Sequence, residues 1–293
     1  MRYGPNEDFA APARHSAELW RTVLGFFLAS AAQIGLIFVI YGAGRMVLGS
    51  DRADTLYNAV FFSTLTATET LLLLLSAGLI TVGLVAVVDQ LHRRSPLSLV
   101  GPLPQAWRDF WAVLKMLAGL YLILSLIPSG VALDPNMAFD RWLLLLPVAI
   151  PVLFIQISSE ELFFRGYLQQ QLAARYRSPL IWIGIPSVIF AFGHYSTDLA
   201  GDNAIFTAIW AGLFGIAAAD LTARSGNLGA ALALHFANNF GAILLASLPG
   251  AASGLALYVY PITLDDPAIL PLFAVDLDVM LVSWLAARVA LRV

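Results

Sequence analysis

Long apolar runs separated by short polar connections dominate this chain. Residues 22–44, 70–88 and 116–133 are each close to the ~20 helical residues that cross a bilayer core, and they predict three membrane spans. A fourth run begins near Trp142, and residues 180–193, 203–219, 228–248 and 268–287 complete an expected all-α bundle of about eight transmembrane helices. Asp276 and Asp278 interrupt the last run, and the uncharged stretch 225–264 leaves room for an additional re-entrant segment.

Composition supports the same class. Hydrophobic residues make up 59% of the chain and charged residues only 12%, about half the share in an average soluble domain. So few charges cannot cover a water-facing surface, so most outward-facing atoms must meet hydrocarbon. With 16 basic and 19 acidic residues there is no basic footprint, and nucleic acid is excluded as an expected partner. The absence of cysteine removes thiol nucleophiles and thiolate metal sites, which leaves carboxylate, imidazole, hydroxyl and amide groups for chemistry.

The first 21 residues are polar, and the run after them is too long for a signal-peptide core. The expected organisation is therefore a cytoplasmic N-terminal segment, 1–21, and a single transmembrane domain, 22–293. Basic residues are retained on the cytoplasmic side. Arg93, Arg94, Arg175, Arg177, Arg288 and Arg292 fall on the side of the N-terminus, against Arg45, Arg52 and Arg141 opposite. Both termini are expected to be cytoplasmic, in the plasma membrane if the source is bacterial. Pro96, Pro102 and Pro104, followed by Trp107, Arg108 and Trp111, predict a segment lying at the membrane interface. Ala208, Gly212, Gly215 and Ala219 recur at helical spacing and predict close helix approach.

The chemistry concentrates after Ser158. Glu160, Glu161 and Arg165 stand inside an apolar run that continues through Leu172. A helix over 142–172 would be about 46 Å long, and Pro147 and Pro151 are expected to break it, moving the true span toward 153–172. Each such charge costs about 2.5 to 3.5 kcal/mol at a helix centre unless it is partnered. Glu161 and Arg165, four apart, share a face and form a pair, whereas Glu160 projects about 100° away and needs another partner.

Of the four histidines, His15 and His92 have polar neighbours and are expected to be interfacial and without function, while His194 and His235 lie in or beside spans. Glu160 is 18 residues before Ser178 and His194 is 16 after it, so a helical hairpin brings them level. His235 and Asn239, four apart, face one cavity, and Asn238 points elsewhere. His235 lies nearer its loop than the other two, so all three share a depth only if the hairpin between spans four and five protrudes from the membrane.

Such a set suits hydrolysis of a peptide bond: a carboxylate held from water accepts a proton from the attacking water, His194 orients or shares it, and amide or imidazole donors hold an oxyanion. No cofactor is expected. A zinc ion held by Glu160, His194 and His235 is the chemical alternative, although HExxH-type spacing is missing. Two other classes remain open: a proton-coupled transporter, with Asp276 as further support, and a noncatalytic scaffold in which these groups only fix packing.

Glu160-Glu161-x-x-x-Arg165, Phe190-x-x-x-His194 and His235-x-x-x-Asn239, in this order, resemble the CAAX protease and bacteriocin-processing family of intramembrane endopeptidases. The resemblance implies an eight-helix fold with a catalytic core over about 142–248 and a cavity open to the cytoplasm. It also implies that Glu160 activates water with the help of His194, while His235 and Asn239 form the oxyanion hole. By the same resemblance Arg165 supports Glu161, and Phe190 packs beneath His194. The implied partners are the lipid bilayer and a membrane-associated protein or peptide, prenylated CAAX sequences among them. The family also includes bacteriocin-immunity and scaffold proteins.

Overall fold

The computed structural model describes residues 3–63, 66–127, 130–250 and 252–293. Its helices are α1 (Gly4–Ala10), α2 (Leu19–Leu48), α3 (Ser50–Asn58), α4 (Ala67–Leu91), α5 (Leu103–Leu124), α6 (Phe139–Arg175), α7 (Pro179–Gly193), α8 (Thr197–Ser225), α9 (Gly229–Leu245) and α10 (Pro267–Leu291). Among the described residues five of these, α2, α4, α6, α8 and α10, are long and apolar enough to cross a membrane, and α7 and α9 are shorter apolar helices. The protein is an all-α, multi-span bundle.

Local chemistry explains several boundaries. At the start of α4, Thr66 Oγ1 accepts from the Glu69 backbone N–H at 3.3 Å, and the Glu69 carboxylate accepts from the Thr66 N–H at 2.9 Å. α8 stops at Gly226, whose φ of +71° is left-handed and where a Cβ would come within 2.9 Å of the Pro5 carbonyl. The small-residue stripe seats α8 on α7: a Cβ on Gly215 would lie 3.0 Å from the Ser187 side chain.

Four expectations need correction. α5 contains the interfacial Trp107–Trp111 segment and the third run in one helix, ending at Leu124; of the expected span 116–133, residues 128 and 129 lie outside those described. Pro147 and Pro151 do not break the fourth run, because α6 continues unbroken through both. Each proline removes one N–H from the ladder, and both lie on the exposed face of α6, where the helix continues past them. Among the described residues of the stretch between α9 and α10 there is only a short 3-10 turn, Ser253–Leu255, and no re-entrant helix. Instead Ala246–Ser247 (β2) pairs parallel with Tyr258–Val259 (β3), which pairs antiparallel with Asp134–Pro135 (β1). With two residues per strand, this sheet ties loops together and leaves the all-α class unchanged.

The fourth correction is His92, which is fully buried. Its Nδ1 lies 3.0 Å from Ser16 Oγ and 2.7 Å from Gln171 Nε2, its Nε2 lies 2.9 Å from Tyr167 OH, and its carbonyl meets His15 Nε2 at 2.8 Å. Burial, with Arg94 close by, pulls its pKa down to about 4.

These contacts belong to a polar cap formed by residues 4–16 over the end of α6. Gln170 donates to the carbonyls of Phe9 and Ser98, and Tyr3 OH donates to Asp220 at 2.7 Å. With 37 residues, α6 is roughly 55 Å long. Even at a 40° tilt it exceeds a hydrocarbon core of about 30 Å, so its polar end projects beyond the core.

α6 also organises the interior. Leu153 and Ile157 pack with Leu74 of α4 and Leu244 of α9, whereas Phe163 and Leu168 pack with Ala29 of α2 and Leu84 of α4. The two glutamates stand between these clusters. Directly after Glu161 the helix widens into a π segment over Leu162–Gln169, and α9 does the same over Phe240–Leu245 directly after Asn239. Such wide turns are frequent at functional sites.

Candidate active site

Three helices bring the motif residues together. α6 presents Gln156 and Glu160 one turn apart, with Glu161 rotated toward the interior; α9 presents His235 and Asn239 one turn apart; α7 ends with Phe190 and His194. Glu161 has no solvent exposure, and its Oε1 accepts from Arg165 Nη1 at 3.0 Å and meets His235 Nδ1 at 2.7 Å. A carboxylate in this pair only accepts, so Nδ1 carries the proton and Nε2 is turned toward Glu160. His235 Nε2 lies 3.7 Å from Glu160 Oε2. Arg165 is 1% exposed, and its guanidinium sits 4.9 Å over the Phe190 ring.

Glu160 differs from its neighbour in access. Its side chain is 23% exposed, against 0% for Glu161. Glu160 Oε1 accepts from Gln156 Nε2, and Gln156 Oε1 accepts from Asn239 Nδ2 at 3.1 Å. Adjacent residues on one helix therefore divide into a sealed carboxylate, paired through Oε1 with Arg165 and His235, and an open one. The open carboxylate can meet water, and donors from α9 lie beside it.

His194 is exposed and caps the end of α7, with Nδ1 2.9 Å from the Phe190 carbonyl. The carbonyl only accepts, so Nδ1 is the donor and the neutral ring keeps its lone pair on Nε2. Both imidazoles rest against Phe190, with ring centroids 4.4 Å away for His194 and 6.4 Å for His235. Among the described residues no hydrogen bond or ion pair joins His194 to Glu160. The imidazole facing Glu160 is His235, and His194 approaches the group through Phe190.

Glu160, His194 and His235, the alternative zinc set, do not converge into a group that could hold an ion as the side chains stand among the described residues. Asp276 lies on α10, a helix that carries none of the three motifs. The two clefts that stand out lie elsewhere. One of about 540 Å³ is lined by Pro5, Phe9, Ser98 and Gln105, and one of about 400 Å³ lies among α2, α3 and α4. Neither is the site cavity that the resemblance implies.

Gln156 was legible only as a polar residue one turn before Glu160 in an apolar run, and the sequence reading assigns it no role. Asn238, expected to point elsewhere, donates from Nδ2 to Asn239 Oδ1 at 3.1 Å.

Residues 141–241 match the family described as Type II CAAX prenyl endopeptidase Rce1-like. This segment belongs to that family. The Rce1-like segment contains all three motifs, from Glu160 to Asn239, and leaves α1 to α5 and α10 outside it. A protein of Bacillus subtilis (strain 168), described as the uncharacterized protein YyaK, is 32% identical over 100 residues. That similarity covers 34% of this chain and 33% of the other, so the chain matches about a third of the length of this curated relative. No solved structure matches the chain.

Proposed function

We propose that this protein is an integral-membrane endopeptidase that hydrolyses a peptide bond in a membrane-associated protein or peptide, with a prenylated CAAX-type sequence as the substrate class. The observation that carries the reading is the pair of unlike glutamates: Glu161 sealed between Arg165 and His235, Glu160 open and facing His235 Nε2 at 3.7 Å. The family of residues 141–241 supports the reaction type and the substrate class.

In this reading Glu160 is the general base. It takes a proton from water, and the oxygen adds to the scissile carbonyl. The resulting oxyanion is held by Asn239 Nδ2 and His235 Nε2. The proton on Glu160 then passes to the leaving amine as the C–N bond breaks. To donate from Nε2 as well as Nδ1, His235 must be imidazolium. Glu160, Glu161, Arg165 and His235 then sum to zero charge, which favours that state in an apolar setting. His194, with its free Nε2, partners Glu160 through water. Glu161 and Arg165 hold His235 in register, and Phe190 supports both rings.

No metal enters this mechanism. The topology that accompanies it has eight spans, α2 and α4 to α10, with both termini and the cap of residues 4–16 in the cytoplasm and the bundle in the plasma membrane of a bacterial source. Residues 22–293 form one membrane domain with its catalytic core over 142–248.

The test is cleavage of a quenched fluorogenic peptide bearing a farnesylated CAAX sequence, by purified protein in detergent and in liposomes. Glu160→Ala, His194→Ala and His235→Ala are each expected to lose activity by about 10² or more. Wild-type turnover in Glu160→Ala would overturn the assignment. Substrate flux into liposomes without cleavage would instead favour the transporter.

A further inference from the structure

Three side-chain amides, two of them without an assigned role, run in a single direction toward Glu160. Asn238 Nδ2 donates to Asn239 Oδ1 at 3.1 Å, Asn239 Nδ2 donates to Gln156 Oε1 at 3.1 Å, and Gln156 Nε2 donates to Glu160 Oε1. Gln156 is 7% exposed, so water does not compete freely for its amide.

The direction of this chain has a chemical cause. An ionised carboxylate offers only acceptor sites, so Gln156 must turn its NH₂ to Glu160. That leaves its carbonyl facing α9, where only a donor fits, so Asn239 must present its own NH₂. The Asn239 carbonyl then faces Asn238, which supplies the next donor. Had Asn239 been flipped, two carbonyl oxygens would face each other across the α6–α9 contact. The charge on Glu160 thus sets the orientation of an amide one helix away.

We propose that Gln156, backed by Asn238, is a positioning residue that couples the charge state of Glu160 to the orientation of the Asn239 donor. The proposal rests on the proteolytic reading for its meaning in catalysis, but the coupling itself does not depend on it. Gln156 does two things at once. It occupies Glu160 Oε1, which leaves Oε2 as the oxygen that faces His235 Nε2. It also takes one N–H of Asn239 and so fixes which way that amide is turned, leaving the second N–H as a donor. When Glu160 gains the proton from water, its demand for a donor from Gln156 ends and the chain loosens from that end. The donor bond is therefore strongest before proton transfer, when Glu160 must be ionised to act as a base.

The other charged and titratable groups near Glu160 are Glu161 and Arg165 on its own helix, His235 on α9 and His194 at the end of α7. None of them touches the Gln156 amide among the described residues, so removing that amide changes one donor and leaves the ion pairs in place.

The experiment reads the titration of Glu160 directly from its carboxyl C=O band by infrared difference spectroscopy on the full chain in detergent, with Glu160→Gln identifying the band. This measurement works in a preparation that cleaves nothing, so it separates the relay from the protease assignment. In Gln156→Met the midpoint of Glu160 is expected to move to higher pH by about one to two units, the effect of losing a hydrogen bond to a charged group. Gln156→Glu, which has the same shape but places an acceptor against an acceptor, is expected to move it at least as far. Asn238→Ala should move it in the same sense by a smaller amount, and Ile155→Ala, on the same helix but off the chain, should leave it unchanged. With the peptide substrate, the acid limb of kcat/KM follows the spectroscopic midpoint in each variant. An unchanged midpoint in both Gln156 variants, in protein whose unfolding is like the wild type, would overturn the proposal.

Discussion

Arg165→Met separates a buried, functional ion pair from an ordinary helix-surface contact. Arg165 and Glu161 are four residues apart and 3.0 Å from each other, a spacing worth only about 0.3 to 0.5 kcal/mol on an exposed helix. Here the two side chains are 2% and 0% exposed. Removing the guanidinium leaves a carboxylate in the interior with His235 as its remaining partner, a situation that costs about 3 to 5 kcal/mol. Methionine keeps most of the volume against Phe164 and Phe190, so the loss reports charge more than packing. Unfolding by a denaturing detergent in mixed micelles gives the change in free energy. In the double variant Glu161→Gln, Arg165→Met the buried charge is gone and the glutamine carbonyl still accepts from His235 Nδ1. Most of the lost stability should return, with a coupling of about 2 kcal/mol or more. Turnover should stay low in both, because Arg165 no longer holds position 161 and His235 in register. A loss below about 1 kcal/mol in the single variant, or additive losses in the double, would refute this account.

The remaining expectations concern the cap, the chain reversal at α8 and metal. His92, with its pKa depressed from 6.5 to about 4, binds its proton in the unfolded chain first, so stability falls as pH drops from about 6.5 toward 4; that difference corresponds to about 3 kcal/mol, fully lost only below pH 4. His92→Gln should flatten this part of the stability–pH curve, and an unchanged slope would show that other groups carry it. Gly226→Ala forces a left-handed alanine toward the Pro5 carbonyl and should cost about 1 to 2 kcal/mol; limited proteolysis should then cut within residues 4–16 faster than in the wild type. Exhaustive chelation should leave peptide cleavage unchanged in protein whose elemental content is measured in parallel, whereas loss restored by added zinc would move the mechanism to the Glu160, His194 and His235 alternative.

Some of this protein is decided over a few residues of sequence. Whether a run of side chains prefers hydrocarbon depends on its own length and polarity, so an all-α bundle with several long apolar helices was readable without knowledge of their neighbours. The same holds for residues one turn apart: Glu161 with Arg165, and His235 with Asn239, share a face wherever the helix lies. The three motifs were likewise legible, because each keeps its spacing within one helix.

Contacts between helices depend on how each is rotated and how deep it lies, and short-range pattern carries little of that. The similar residue counts on either side of Ser178, 18 and 16, matched His194 to Glu160 in depth, yet the imidazole turned toward Glu160 belongs to α9. Packing on Phe190 and the fixed bond from Glu161 to His235 Nδ1 decide that rotation. The π segments after Glu161 and Asn239 shift the angular position of everything beyond them, and no residue type announces them. Prolines that would end an isolated helix are carried through α6, whose opposite face is packed through Ala149, Val152 and Leu153. His92 looked interfacial beside polar neighbours, but residues 4–16 fold back and remove its water. Gln156 acquires its place only when α9 arrives across from it, since an amide in an apolar run has no assigned partner until tertiary packing supplies a carboxylate on one side and a second amide on the other.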